Sequence, residues 1–239
     1  MEILNGEGVT KYFGGLAAVS DVDFEVNQGE IVGLIGPNGA GKTTLFGLIS
    51  AALTPQSGTI ELKGENISGM KPHQICKRGL ARTFQSVQIF PSIPVISNVT
   101  LGVNYGTTER VSAAEADEEA AELLEFVGLS EMAAIPAGDL TLVNQKLLEV
   151  ARALATKPDV ILLDEIMAGL NSTETSQAME LVSKIQDRGI TIFMIEHVMK
   201  AIMSICDRIM VLHHGKKIAD GTPKEIANSK TVVEVYLGE

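Results

Sequence analysis

Ile31-Val32-Gly33-Leu34-Ile35-Gly36-Pro37-Asn38-Gly39-Ala40-Gly41-Lys42-Thr43-Thr44 is the stretch on which the fold turns. Its first five residues carry no charge and read as a buried strand. A glycine-rich loop follows, and then a helix predicted from Lys42 to about Ala51. From Gly36 to Thr43 the pattern G-x-x-x-x-G-K-[ST] is complete. The glycines let successive backbone N–H groups turn inward around an anion, and the helix start adds the positive end of its dipole. Lys42 can reach β- and γ-phosphates as a point charge, while Thr43 offers a hydroxyl to Mg²⁺. A chance match in a chain of this length is on the order of one per cent. The strand–loop–helix setting is the context this motif requires. A nucleoside triphosphate site is therefore expected, with kinases, GTPases and helicases all still open.

Upstream, short β-like runs (Glu2 to Val9, Ala18 to Val26, Glu30 to Ile35) are separated by turns, the last at Asn27-Gln28-Gly29. Downstream of Asp159, strands at Val160 to Leu163, Ile190 to Ile195 and Ile209 to Leu212 alternate with helices. One of these, Ser172 to Asp187, places Ala178, Leu181, Val182 and Ile185 on a single stripe. Near-continuous apolar strands between helices imply a buried parallel sheet and an α/β fold. Residues 86–155 read differently. A Pro-broken apolar loop from Ile89 to Pro94 leads into an acidic helix, Glu115 to Glu125, read as a solvated face. A helix from Thr141 to Ala155 closes the segment. The expected organisation is one domain over 1–239, with 1–85 and 156–239 as core and 86–155 as an inserted helical lobe. Thr222-Pro223-Lys224-Glu225 is a capping box with Pro at the first helical position.

Composition limits the partners. A net charge of −11 and 4% aromatic residues without tryptophan disfavour nucleic acid and acidic lipid as ligands. Cys76 and Cys206 match no metal-ligand spacing, which predicts two free thiols in a reduced, cytosolic setting. No signal peptide is read at Met1 to Asn5. No apolar run approaches the roughly 20 residues of a membrane span, so any membrane role is expected to come through a partner.

Asp164 and Glu165 follow Val160-Ile161-Leu162-Leu163, at the strand end where open α/β sheets bind ligands. Asp164 would hold Mg²⁺, and Glu165 could polarise the water attacking a γ-phosphate. The competing reading of the acidic pair is a helix cap. His197, behind Glu196 at the end of another strand, lies on the same sheet edge, where it could contact the γ-phosphate; the competing reading is a structural histidine. Gln85, before the lobe, could touch Mg²⁺ or the attacking water.

Together these residues resemble the ATPase subunits of ABC transporters over essentially the whole chain. The resemblance implies a P-loop ABC-type nucleotide-binding domain with an N-terminal antiparallel β portion and an inserted helical lobe. In its terms Gly36, Pro37, Asn38, Gly39, Ala40, Gly41, Lys42, Thr43 and Thr44 form the Walker A loop. Val160 to Glu165 is the Walker B strand, Gln85 the Q-loop glutamine and His197 the switch histidine. Phe13 matches the aromatic that stacks on adenine, with Tyr12 as the alternative. Ala168-Gly169-Leu170-Asn171 matches the D-loop, and Leu140 to Leu154 the signature helix, whose Thr141 would reach ATP. Implied cofactors are ATP and Mg²⁺, the ion held by Thr43, Gln85 and Asp164. Implied partners are a second ATPase subunit, two transmembrane permease subunits and, indirectly, a solute-binding protein, at the cytoplasmic face of the membrane.

Within that family, Arg82-Thr83-Phe84-Gln85, Met167 to Asn171, the long tail from Ile195-Glu196-His197 to Ala219-Asp220-Gly221-Thr222-Pro223 and the ending Val235-Tyr236-Leu237-Gly238 are similar to one subgroup. It is the larger ATPase subunit of branched-chain amino-acid importers, and the solute class rests on this likeness alone. The signature, usually Leu-Ser-Gly-Gly-Gln, here reads Leu140-Thr141-Leu142-Val143-Asn144, and Val143 replaces a glycine that approaches the opposite subunit's nucleotide. Ile166 stands where the family has Pro, and Asn171 where it has Asp. A nucleotide sensor and a soluble non-transport ABC ATPase remain as alternatives.

Overall fold

The computed structural model describes residues 1–107 and 111–237; Gly238, part of the subgroup ending, lies outside them. The chain divides into two compact units, Met1–Pro72 with Leu162–Glu239, and His73–Ile161.

The first unit opens with β1 (Glu2–Phe13), β2 (Leu16–Asn27), β3 (Ile31–Ile35), α1 (Lys42–Ile49), β4 (Ser57–Leu62) and β5 (Glu65–Asn66). Next come α2 (Pro72–Cys76), β6 (Leu80–Arg82), α3 (Val95–Gly106), α4 (Ala113–Phe126) and α5 (Leu142–Leu154). β7 (Val160–Asp164) carries the chain back to the first unit, which continues with α6 (Ser172–Asp187), β8 (Thr191–Ile195) and α7 (Met199–Ile205). It ends with β9 (Arg208–His213), β10 (Lys216–Gly221), α8 (Pro223–Asn228) and α9 (Lys230–Leu237).

In the first unit β1 runs antiparallel to both β2 and β4, giving the order β2-β1-β4-β5. A second sheet runs β10-β9-β3-β8-β7. Its β3 is parallel to both neighbours, and β10 returns antiparallel on β9. Every residue of β3, β7 and β8 is buried, as a parallel sheet covered on both faces demands. Phe193 of β8 lies 5.1 Å from Phe46 of α1 and 6.1 Å from Phe24 of β2, centroid to centroid. One aromatic cluster thus joins the two sheets to the helix that follows the glycine loop. Arg208 closes the far edge, its guanidinium meeting Glu30 at 2.8 Å and Asp220 at 2.9 Å.

The second unit is mainly helical. In it α3 packs on α4 and α5. A Cβ on Gly102 would stand 2.7 Å from the Ala155 Cβ and one on Gly106 2.6 Å from Thr156, so bare glycine lets α3 approach the end of α5. β6 borders the start of β7, and the Gly79 carbonyl accepts from the Asp159 and Val160 N–H groups. The acidic run forms α4, which buries Ala116, Ala120, Leu123 and Leu124 and is capped by a Ser112–Glu115 box. Its carboxylates lie on the opposite face, as expected from the sequence.

Several boundaries move. β1 extends to Phe13 rather than Val9 because pairing with β2 continues to the Gly14-Gly15 turn. α1 stops at Ile49, with Ala51 at φ 56° reversing the chain. β8 begins at Thr191, not Ile190. The strands β4, β5, β6 and β10 were not anticipated from the pattern.

Candidate nucleotide-binding site

The loop between β3 and α1 needs its glycines for two different reasons. Gly36, Gly39 and Gly41 all have positive φ, at 150°, 77° and 105°, a region costly to residues with a Cβ. At two of them there is also no room. A Cβ on Gly36 would stand 2.1 Å from the Leu212 carbonyl oxygen, and one on Gly41 2.3 Å from that of Ala18. Nothing lies within 4 Å of the Gly39 position. The β9–β10 turn braces the loop from outside, the Gly215 N–H donating to the Ala40 carbonyl at 2.9 Å. Asn38 and Gly39 are exposed, Pro37 is half-buried and Ala40 buried.

Lys42, the first residue of α1, is 6% exposed. Its ammonium donates to the carbonyls of Gly36 at 2.6 Å and Pro37 at 3.0 Å. Burial pulls its pKa down, and the carboxylates of Glu165 and Asp164 pull it back up. The charge thus faces two acids from the end of β7. Thr43 is exposed and Thr44 half-buried.

Asp164 ends β7 fully buried, and Glu165 follows at φ 54°. The Glu165 N–H donates to the Ile195 carbonyl at 2.9 Å. Its carboxylate meets His197 Nε2 at 3.0 Å, with the histidine side chain 44% exposed and the glutamate 12%. Glu196, one residue earlier, points inward and accepts from the Met167 N–H at 2.7 Å. Burial, and then the Asp207 and Glu196 carboxylates, push the Cys206 thiol up to about 12. Ile166, which departs from the proline of the family pattern, is a buried apolar residue.

Asn171 caps α6, its side chain accepting from the N–H groups of Thr173 and Glu174, while Glu174 accepts from the Asn171 N–H. An Asn cap serves as well as Asp, which accounts for the departure there. Phe13 is half-exposed at the tip of the β1–β2 hairpin, with the Lys11 ammonium 5.6 Å from its ring centroid. The Gln56 side-chain amide pairs with both backbone groups of Tyr12 at 3.1 Å and stiffens that hairpin.

The structure therefore brings together Lys42, Asp164, Glu165 and His197. Gln85 and Thr141 belong to the second unit. Gln85 is exposed on the segment after β6. Thr141 is the N-cap of α5, its Oγ1 accepting from the Asn144 N–H at 3.3 Å, and Val143 is half-buried in the first turn. Residues not singled out from the sequence hold this neighbourhood. Glu149 accepts from the Gln88 N–H at 3.0 Å, and Arg152 donates to the Gln88 carbonyl and stacks 5.0 Å from the Phe90 ring. Asn98, fully buried, bonds both backbone groups of Phe90. In the first unit, Tyr236 of α9, part of the ending already read from the sequence, has its phenol pushed up by burial and pulled partly back down by the Gly36 backbone. Asn98 stands out in the sequence as a polar residue in the apolar start of α3, whereas Glu149 and Arg152 do not stand out among the other polar residues of α5.

Comparison with known proteins adds the following. The chain matches the family model described as ABC transporter over residues 19–168, and one described as branched-chain amino acid ATP-binding cassette transporter over residues 216–239. It is 40% identical to the high-affinity branched-chain amino acid transport ATP-binding protein BraF of Pseudomonas aeruginosa, covering 99% of this chain and 98% of that one. Among solved structures, MJ1267, an ATP-binding cassette of an ABC transporter in its ADP conformation, superposes with a TM-score of 0.91 at 32% identity over the whole of both chains. The dimeric bacterial ABC transporter cassette MJ0796 gives 0.84 at 25% identity, covering 92% of this chain and 99% of that one.

Proposed function

The chain belongs to the ABC transporter family of ATP-binding subunits, and from that premise we propose that it hydrolyses MgATP to energise an importer of branched-chain or related hydrophobic amino acids. The observation that carries the catalytic part is the convergence of one buried lysine, two carboxylates and a histidine on the edge where the glycine loop opens.

Phe13 would stack on the adenine ring, and the backbone N–H groups of residues 36–44 would cradle the phosphates with Lys42. Thr43 and Asp164 would hold Mg²⁺, and for Gln85 the same role rests on the family resemblance alone. Hydroxyl, carboxylate and amide oxygens suit that hard cation. An ion of this kind keeps several waters and leans on the substrate's phosphates. When bound, Mg²⁺ neutralises charge on the β- and γ-phosphates. Glu165 accepts a hydrogen bond from the attacking water, whose oxygen forms the new bond to γ-phosphorus as the bond to ADP breaks, and its proton passes to the carboxylate. His197 holds the Glu165 carboxylate in place.

The segment 86–155 acts as the helical lobe, and the run around half-buried Ile89 and exposed Phe90 as the docking surface for the permease subunits. Among the described residues no helix is long and apolar enough to cross a membrane, and a peripheral place on the cytoplasmic face follows from such docking. A dimer of ATPase subunits, as in MJ0796, would set Thr141 of one subunit against nucleotide on the other. The amino-acid class is supported by the C-terminal family match and by BraF.

Replacing Glu165 with Gln removes the water-polarising charge and leaves the phosphate loop intact. Turnover should fall about 10²- to 10⁴-fold while ATP affinity, measured by equilibrium binding, is kept. Near wild-type hydrolysis would strip Glu165 of this role.

A further inference from the structure

Three consecutive residues at the end of β8 hold the turn that follows β7. The Ile195 carbonyl accepts from the Glu165 N–H at 2.9 Å. The Glu196 Oε1 accepts from the Met167 N–H at 2.7 Å. His197 Nε2 lies 3.0 Å from Glu165 Oε1. The middle residue is a carboxylate only 2% exposed, and the hydrolytic scheme above gives it no task. A carboxylate is costly to bury, and a backbone N–H is a strong partner for one.

The turn it grips is strained. Glu165 has φ 54°, a conformation that a side chain with a Cβ keeps only when its surroundings over-determine it. The grip also extends further along the chain. The Ala168 N–H donates to the Glu165 carbonyl at 3.3 Å, and the Leu170 N–H to the Met167 carbonyl at 3.3 Å. Met167 is thus bonded at its N–H to Glu196 and at its carbonyl to the residue before the α6 cap, Asn171.

We propose that Glu196 is a positioning residue for hydrolysis, whose carboxylate oxygen, bonded to the Met167 N–H, holds the 165–168 turn so that Glu165 faces His197. The same bond ties the end of β8 to the D-loop residues that lead into α6. The inference rests on Glu165 as the water-orienting group. What matters in it is the reach of an oxygen acceptor, not the charge. Gln at 196 keeps the acceptor at the same distance. Asp keeps the charge but withdraws the oxygen by about one carbon–carbon bond, ~1.5 Å, which is beyond hydrogen-bonding distance from Met167.

The test uses the transporter assembled with its membrane partners, and compares kcat and KM for ATP, with thermal stability, in Glu165→Gln, Glu196→Gln, Glu196→Asp and Glu196→Ala. Glu165→Gln defines how much turnover this site supplies. Glu196→Gln should stay within about threefold of wild type. Glu196→Asp and Glu196→Ala should each lose about nine-tenths or more of that turnover with KM within about twofold, since a 1 Å misplacement can cost about 10²-fold. If Glu196→Ala does not fold, Glu196→Asp carries the comparison alone. Asp as active as Gln, or a loss of kcat no larger than the loss of folded protein, overturns the proposal. If Glu165→Gln is inactive while Glu196→Asp turns over normally, only the positioning role falls. If Glu165→Gln stays active, the reading of Glu165 falls and this proposal falls with it.

Discussion

A single methyl group at Gly36 should be far more disruptive than the same methyl three residues later. At Gly36 the added Cβ stands 2.1 Å from the Leu212 oxygen and 3.1 Å from both the Leu212 carbonyl carbon and the Ala40 Cβ. Leu212 is fully buried in β9, and the atom met is backbone, so no side-chain rotation relieves the contact. A carbon–oxygen approach of about 3.3 Å is the usual lower end, and the loop or the strand end must therefore shift by about 1 Å. Overpacking of that kind costs about 1–3 kcal/mol. At φ 150° Gly36 also lies in a backbone region that is essentially confined to glycine, which adds about 1–3 kcal/mol. Gly39 is the comparison, because at φ 77° it sits in the left-handed region, at about 1–2 kcal/mol for a residue with a Cβ, while nothing lies within 4 Å of its Cβ position. The backbone costs are of similar size, so the overpacking, about 1–3 kcal/mol, sets most of the difference between the variants. At about 2–4 °C per kcal/mol for a chain of this size, Gly36→Ala should melt about 2–12 °C below Gly39→Ala. The same shift disturbs the Gly36 carbonyl that Lys42 holds at 2.6 Å, so ATP binding should weaken along with stability. Thermal unfolding of the two purified variants, followed by titration with a fluorescent ATP analogue, reads both effects. Equal melting temperatures would show that the loop does not rest on the end of β9 as described.

Two further outcomes follow from the helix caps. Val143→Gly bares the first turn of α5, where Val143 is half-buried, and in a homodimer should raise ATP-dependent dimerisation about tenfold, the worth of one recovered hydrogen bond to a charged group; light scattering with and without ATP measures it, and an unchanged monomer–dimer balance counts against a clamp at this position. Asn171→Asp should leave the melting temperature within about 2 °C, whereas Asn171→Ala, which loses the acceptor for the Thr173 and Glu174 N–H groups, should cost about 1 kcal/mol; a calorimetric scan that finds the two alike contradicts the capping account.

What the sequence reveals of this fold depends on how local the cause is. The glycine loop, the all-buried runs of β3, β7 and β8 and the apolar stripe of α6 are legible because each is set by neighbouring residues. β4 and β10 are not, since most of their side chains are exposed or half-buried and backbone pairing, rather than an alternating pattern, holds them in place. The site divides the same way. Lys42 and Asp164 are placed by motifs, yet the order Ile195-Glu196-His197 says nothing about which acid faces inward. Residues alternate sides at the end of a strand, and the chain leaves β8 so that Glu196 turns into the protein while His197 stays near the surface, beside Glu165. Glu165 itself looks like an ordinary acid after an apolar run, and its left-handed backbone becomes understandable only once both strand ends are in view. That conformation is held by groups about 30 residues away in the chain, so the geometry of hydrolysis is a tertiary property that rests on a motif but is not contained in it. The variants at Glu196 address that difference directly, because they leave every residue of both motifs unchanged.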